Sequence, residues 1–380
     1  MMPSILSWER PSRCVQPGKV YSEQVMQLDR RKSGMTKAEL ERALTSLVRK
    51  FVEDSALDLD VGISFCDVHK LMNRQHHTEL AYVQLDGRRC QLLYHDHLIA
   101  FQSEHAGLVF IAKSWVLLMV IGEMNRSRGE VKKSFVFEIG DSGSLDEVSF
   151  SSNHENACLI LDDEFASKNG YDEFREICAS RLVEWRDREP NVFWRGSTTG
   201  PRLAVPPREG EPDAFHWLHR LHLCQVIAGS AITAYCDVGI SGIVQVSEKY
   251  LIERIRQSGL MKPPAPRDEF LRHKAVIDVD GNANAWSGLF CSLLGASCVI
   301  KVASQRGFRQ WYYKDLKPWL HYVPAESDMS NLIEVIGWVI QHDAHASEIA
   351  QRGREFALNQ NFQNAVTRSA LNLFEFCLRP

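Results

Sequence analysis

The sequence predicts an α/β protein made of two halves that face each other across a cleft. Three observations predict it. Residues 275–302 run from a short apolar stretch, through the break Asp280-Gly281-Asn282, into a helical segment at 286–294 and a second apolar stretch at 298–302. Strand, glycine turn, helix and strand in that order make an α/β unit. Far upstream, a strand candidate at 134–139 runs into Gly140-Asp141-Ser142-Gly143, the beginning of another cleft wall. Finally, 380 residues suffice for two separately cored domains. The boundary is expected between Trp185 and Val192, giving domains 1–188 and 189–360, with a last helix in 361–380 folding back on the first domain.

In chain order, residues 1–35 are weakly periodic and read as an extended arm with room for one short helix. Thr36 and Glu39 make a capping-box pair for a helix to about Phe51, with Leu40, Leu44, Leu47 and Phe51 on its apolar face. Segments 82–85 and 90–94 flank Asp86-Gly87 and predict a hairpin, with a looser four-residue link through Arg88 and Arg89 as the alternative. The apolar stretch 106–121 predicts a helix buried under a sheet. Residues 172–188 predict a helix presenting Phe174, Ile177, Leu182 and Trp185, ended by Pro190. A strand starts at 192–194 and opens into Arg195-Gly196-Ser197-Thr198-Thr199-Gly200, read as a donor-rich turn. Residues 215–227 predict a helix carrying Arg220, and 244–255 mixes strand and helix signals. Helices at 329–340, 344–358 and 364–376 finish the chain.

Composition narrows the function. Hydrophobic residues at 44% and charged residues at 24% are ordinary for a soluble globular chain. A formal charge of −4 supplies no field for nucleic acid, and no long basic, aromatic-interleaved surface runs through the sequence. The first residues lack a signal peptide's apolar core, and the apolar tract near 106–122 is broken by Lys113 and Ser114, short of a membrane span. The expected location is cytoplasmic, with a peripheral contact at the inner membrane face compatible with a lipid-linked partner. The ten cysteines form no CxxC pair and are expected reduced. Neither HExxH nor a Cys/His zinc spacing occurs, and His95, His97 and His105 read as surface residues, so no metal site and no cofactor is expected.

The second half places basic and hydroxyl groups in turns: Arg195, Ser197, Thr198, Lys301, Ser304, Arg306 and Arg309. Such donors can neutralise a diphosphate without a metal, and Gly307 would let the backbone approach an anion. Trp286, Trp311, Tyr312 and Tyr313 suit packing on a base or sugar face, or serve simply as core anchors. Asp141, at the C-terminal mouth of a strand, suits a cleft-facing carboxylate; the alternative is a turn aspartate. Ser142, Ser151 and Ser152 lie in the polar loop beyond it and either line an acceptor site or cover the strand ends. In a sugar transfer a carboxylate must take the proton of the attacking hydroxyl, and Asp141 is the candidate. Asp280 competes, but a diphosphate would repel it, so it is assigned to a sugar or ribose hydroxyl or to holding its turn.

Three phrases carry a family resemblance: FWRGSTTG at 193–200, IDVDGNANAWSGLF at 277–290 and GFRQWYYKDLKPWLHYVP at 307–324, with DMSNL at 328–332 behind them. Over roughly residues 130–360 the chain resembles glycosyltransferase family 90. That family comprises protein O-glucosyltransferases, fungal capsule-associated xylosyltransferases and bacterial lipopolysaccharide core transferases, and the likeness is greatest to the bacterial branch. The resemblance implies a GT-B arrangement of two Rossmann-like domains, an acceptor-side one at 1–188 and a nucleotide-sugar-binding one at 189–360. It implies an inverting, metal-independent transfer from a nucleotide-sugar, with a UDP-sugar the expected donor, to a hydroxyl of a saccharide or lipid-linked saccharide in surface polysaccharide synthesis. A protein O-glycosyltransferase, or a binding protein without turnover, is the alternative. Asp141 matches the family's catalytic aspartate, and Arg195, Gly196, Ser197 and Thr198 its arginine-glycine-serine turn. The donor loop falls on Asp280, Gly281, Asn282, Ala283, Asn284, Ala285 and Trp286, with Arg220, Lys301, Arg306, Gly307 and Arg309 as further donor-binding candidates. Eukaryotic members have a donor-binding arginine where this chain has Ser287, so Arg306 or Arg309 is expected to meet the diphosphate charge.

Overall fold

A computed structural model describes residues 24–25, 27–28, 34–72, 79–96, 98, 111–202 and 205–380. Most of the expected N-terminal arm, His97, His105 and residues 106–110 of the apolar tract lie outside the described residues.

The first half opens with α1 (Lys37–Asp54), started by the capping box: Thr36 Oγ1 accepts the Glu39 N–H, and the Glu39 carboxylate accepts the Thr36 N–H at 2.8 Å. Next come β1 (Asp60–Cys66), α2 (Val68–Met72), β2 (Leu80–Asp86) and β3 (Arg89–His95). The hairpin link is the two-residue Gly87-Arg88, with Asp86 opposite Arg89 and Gly87 at φ +61°. Then follow α3 (Trp115–Ser127), β4 (Lys132–Glu138), β5 (Val148–Ser149), β6 (Ser151–Ser152), β7 (Cys158–Leu159), α4 (Asp163–Ser167) and α5 (Asp172–Arg181). The sheet order is β1-β3-β2-β4-β5-β7. It departs from a Rossmann-like pattern at β2, which runs antiparallel to both β3 and β4 because a two-residue hairpin can only reverse the chain. The other strands all end on one edge, which carries His95 and the 139–143 turn. His95, read as a surface residue, is buried there. α5 stops at Arg181, where Leu182 turns extended, so the 172–188 helix is shorter than expected.

The second half comprises β8 (Glu189–Ser197), α6 (His219–Ala228), β9 (Cys236–Gly242), α7 (Lys249–Gln257), β10 (His273–Asp278), α8 (Ser287–Leu294), β11 (Cys298–Val302), β12 (Arg309–Gln310), β13 (Val323–Ala325), α9 (Leu332–Gln341), α10 (Asp343–Asn359) and α11 (Phe362–Cys377). Its five-stranded sheet, β13-β11-β10-β8-β9, is parallel throughout. Both faces are covered, as a parallel sheet requires. Val192, Trp194, Ala275 and Ile277 enter one core with α6 and α9, while Phe193 and Val276 join the core containing α8. β8 is longer than expected and takes in Arg195, Gly196 and Ser197, so the donor-rich turn shrinks to Thr198–Gly200. β9 is an edge strand whose Asp237, Gly239, Ser241 and Gly242 mask it as a loop in the sequence.

The halves are in contact. β12 pairs antiparallel with β6, Arg309 opposite Ser152 and Gln310 opposite Ser151. Phe165 meets Phe290 and Trp311 edge-on, at 5.2 and 5.1 Å between ring centroids. Trp311 and Tyr312 are buried in this cluster and act as core anchors rather than a ligand platform. α11 returns to the first half, where Phe376 packs on Phe135 and Ser369 Oγ accepts the Leu161 N–H at 2.9 Å.

Candidate active site

In the parallel sheet the strand order reverses between β8 and β10: the chain steps outward from β8 to β9, then returns past β8 to β10 and continues the other way. Crossovers on opposite faces leave a crevice there, at the C-terminal strand ends, where open α/β sheets bind ligands. Here those ends are Ser197-Thr198-Thr199 and Val279-Asp280-Gly281.

Arg220, from the first turn of α6, ties the two ends together. Its Nε donates to the Asp280 carbonyl at 3.1 Å, Nη2 to the Val279 carbonyl at 3.0 Å and Nη1 to Thr199 Oγ1 at 2.8 Å. Thr199 Oγ1 also lies 3.1 Å from Ser197 Oγ. Burial lowers the Arg220 pKa, against the pull of Asp278 and Asp280. Gly200, at φ +145°, takes a backbone conformation that residues with a side chain rarely adopt, where the loop passes the Asp280 carbonyl. Thr198 is committed elsewhere, since its hydroxyl donates to the Val244 carbonyl at 2.7 Å and accepts the Val244 N–H at 2.8 Å.

Asp280 is the chemically unusual group. Its side chain is buried, and neither carboxylate oxygen makes a close hydrogen bond, the Ser304 hydroxyl being the nearest side-chain donor that acts on it. Lys301 Nζ stands 3.9 Å away but donates to Asp278 at 2.7 Å instead. Burial raises the Asp280 pKa above its ordinary value, helped by the Asp278 charge, and Lys301, the Ser304 hydroxyl and Arg220 only partly counter it. Burial also works against the Lys301 ammonium, but the Asp278 and Asp280 charges outweigh it and raise its pKa. The ammonium lies 4.9 Å from the Tyr313 ring. A buried carboxylate this sparsely hydrogen-bonded is costly until further donors reach it.

The rest of the donor loop joins this crevice to the first half. The Gly281 N–H donates to the Asn284 carbonyl at 3.2 Å, and Asn284 Nδ2 donates to Ser151 Oγ at 2.5 Å. Asn284 Oδ1 is buried without a partner. Ala283 is buried, while Ala285 and Trp286 are half-buried; Trp286 takes φ +49° as α8 begins. Ser287 lies against Glu164. Burial alone would raise the Glu164 carboxyl, but Lys168, Ser287 and Arg267 outweigh it and hold it below its usual value. Arg306 and Gly307 are exposed, and Arg306 donates to the Asn282 carbonyl at 3.3 Å. Arg309 donates to the His154 carbonyl at 2.6 Å.

Asp141 and Ser142 are exposed, on a turn that Glu138 holds from below. The buried Glu138 carboxylate accepts the N–H groups of Ser144 and Leu145. Gly143 donates to the Ser151 carbonyl at 2.8 Å, so the Asp141 turn reaches the donor loop through Ser151. Ser152 Oγ accepts the His154 N–H. Lys113 Nζ lies 3.4 Å from Asp141, and its pKa is raised: burial would lower it, but Asp163 and Asp141 outweigh that.

The structure therefore brings Thr199, Arg220, Asp280, Gly281 and Asn284 together, with Ser151 across from them. It does not bring the Arg195 guanidinium there. Arg195 donates to both Asp237 carboxylate oxygens, at 2.7 and 2.8 Å, and to the Asp237 carbonyl, and Lys262 joins the pair at 2.6 Å. Along a strand successive side chains alternate faces, so Arg195 points away from the Trp194 side. Gly196 leaves room for the Trp194 ring, which an added Cβ would meet at 2.6 Å. Sequence spacing does not mark Asp278, Glu138 or Lys113 as site residues. Glu138 is a charged residue inside an apolar strand, and that was the signal available.

Comparison with known proteins bears on this crevice. Residues 248–375, about a third of the chain, match the family model for glycosyl transferase family 90. That stretch holds the Asp280 loop, Lys301 and Arg306–Arg309, but not Asp141, Arg195 or Arg220. Protein O-glucosyltransferase 2 of Danio rerio is 40% identical over 89 residues, 23% of this chain and 17% of that protein. Protein O-glucosyltransferase 1 of Bos taurus is 33% identical over 108 residues, 27% of each. Uncharacterized protein 179R of Invertebrate iridescent virus 6 is 28% identical over 203 residues, 49% of this chain and 16% of that protein. The matched stretches thus span between 16% and 27% of these relatives. The family match and the O-glucosyltransferase relatives support a glycosyltransferase. Among the described residues no helix is long and apolar enough to cross a membrane.

Proposed function

We propose that the chain transfers a sugar from a nucleotide-sugar, a UDP-sugar in the first instance, to a hydroxyl group, with inversion at the anomeric carbon. The observation that carries the reading is the Asp280 carboxylate, buried and without a close hydrogen bond beside the strand-order reversal. A donor-substrate hydroxyl, of ribose or sugar, would supply the missing hydrogen bond. Arg220, Thr199 and Arg306 stand nearby for the diphosphate, in place of a metal. Asp141 acts as the base. The acceptor oxygen attacks the anomeric carbon and gives its proton to the Asp141 carboxylate. The bond to the diphosphate breaks, and the nucleoside diphosphate leaves with the electron pair.

For the acceptor we propose a saccharide hydroxyl, as in bacterial surface polysaccharide synthesis. Relatives named protein O-glucosyltransferase favour a second reading, a protein hydroxyl. A thermal-shift screen over UDP-, GDP-, ADP- and CMP-sugars tests the donor assignment. One nucleotide class should raise the stability, by about 2.7 kcal/mol at a hundred times its dissociation constant. Asp280→Asn should abolish most of that shift. A screen in which no nucleotide-sugar stabilises the chain and none is turned over refutes the proposal.

A further inference from the structure

On the first sheet, away from the crevice, three ligating side chains converge that sequence spacing kept apart. β1 and β3 run parallel with Cys66 opposite His95, so Asp67 and His69 follow directly beyond the residue facing His95. His95 Nε2 lies 3.7 Å from Asp67 Oδ1, and the rings of His69 and His95 are 4.4 Å apart. One nitrogen or oxygen of each of the three residues falls within 4.8 Å of the other two. His95 is buried, and His69 Nε2 is buried with no hydrogen-bond partner.

We propose that Asp67, His69 and His95 form a binding site for a divalent transition-metal ion of the Zn2+ class. Two imidazoles and one carboxylate are a donor set such ions favour, leaving a fourth position for water or an oxygen ligand. Tetrahedral coordination at about 2.1 Å puts donor atoms about 3.4 Å apart. The His95–Asp67 pair is already near that spacing, and Asp67 and His69, both only half-buried, need small side-chain rotations to complete it. An ion bound through His69 Nε2 would also satisfy that buried atom, which is otherwise costly to leave unpaired. Lys70, 3.5 Å from Asp67, is the competing cation, but its side chain is 82% exposed and free to swing out.

The site lies on the edge where β1, β3 and β4 end. β2 separates β3 from β4, and strands lie about 4.8 Å apart. The ion would therefore pin β3 to the first turn of α2, two strands from the turn bearing Asp141. Its role is to hold that rim, and it takes no part in the proton transfer assigned to Asp141.

The test uses the full chain, stripped with a chelator and titrated with Zn2+ alone, then with Co2+ as a visible probe. Other histidines and cysteines are present, so the readout is the difference between wild type and variants. Wild type should bind one equivalent that His69→Gln and Asp67→Asn each weaken by about tenfold or more, since even outer-shell partners are worth that much. The Co2+ absorption bands should fall in parallel. Circular dichroism checks that each variant is folded, and Asp67→Asn, at a half-buried position, keeps the test alive where a histidine variant does not fold. Equal affinity and stoichiometry in wild type and folded variants, or no binding by wild type, overturns the assignment. Neither result touches the donor assignment, which the nucleotide-sugar screen decides separately.

Discussion

Asp162 is expected to make this protein less stable as pH rises from mildly acidic to neutral, and Asp162→Asn should remove that dependence. Asp162 caps α4: its carboxylate accepts the Phe165 N–H at 2.9 Å. It is buried, and burial pushes its pKa up to about 7, although the capping bond and its neighbours act on it too. The unfolded chain releases this proton near pH 4, an ordinary value for aspartate. Between about pH 4 and pH 7 the folded chain therefore holds a proton that the unfolded chain has lost. Folding is favoured at the acidic end, and that advantage disappears as pH climbs through the folded pKa. Each tenfold change in proton affinity is worth about 1.4 kcal/mol, so the full window amounts to about 4 kcal/mol. Asparagine caps a helix about as well as aspartate and carries no charge to bury. Asp162→Asn should exceed wild type by about 1 kcal/mol near pH 4.5 and by about 4 kcal/mol at pH 8. Parallel urea-unfolding curves at pH 4.5, 6 and 8 measure the difference. An offset between the two proteins that does not change with pH would refute the reasoning. The helix is small, but Asp163 and Glu164 in its first turn face Lys113 and Ser287, so this cap also positions the rim of the crevice.

Two further substitutions separate catalysis from architecture. Asp141→Asn should abolish sugar transfer while nucleotide binding by calorimetry stays near wild type; full turnover by the variant would remove Asp141 from the mechanism. Arg195→Ala should destabilise the fold by on the order of 2 kcal/mol, because it strips the charge-assisted bonds to Asp237 while Lys262 still neutralises that carboxylate. Donor affinity should change by less than about twofold, and a large loss of affinity with unchanged stability would return Arg195 to the crevice.

What was legible in the chain was local. The capping box at Thr36 and Glu39, the hairpin near Gly87 and the unit from β10 through α8 to β11 follow from short-range rules: side-chain caps, turn geometry and periodicity. Elements of that kind need no partner to declare themselves. β9 was not legible because an edge strand tolerates polar residues, and the length of β8 was hidden because Arg195 and Gly196 resemble turn residues. The donor loop Asp280–Trp286 stood out by composition and by family likeness.

Which of those residues share a site was decided only by tertiary structure. Parallel strands place the ends of β8 and β10 side by side although 81 positions separate Ser197 from Asp278. The alternation of side chains along β8 then turned Arg195 toward Asp237, and the clamp on both strand ends fell to Arg220 on a helix. The same cross-strand register put His95 beside Asp67 and His69. Sequence spacing determines neighbours along a chain, whereas a buried carboxylate without a close hydrogen bond, as at Asp280, is a property of the space around it.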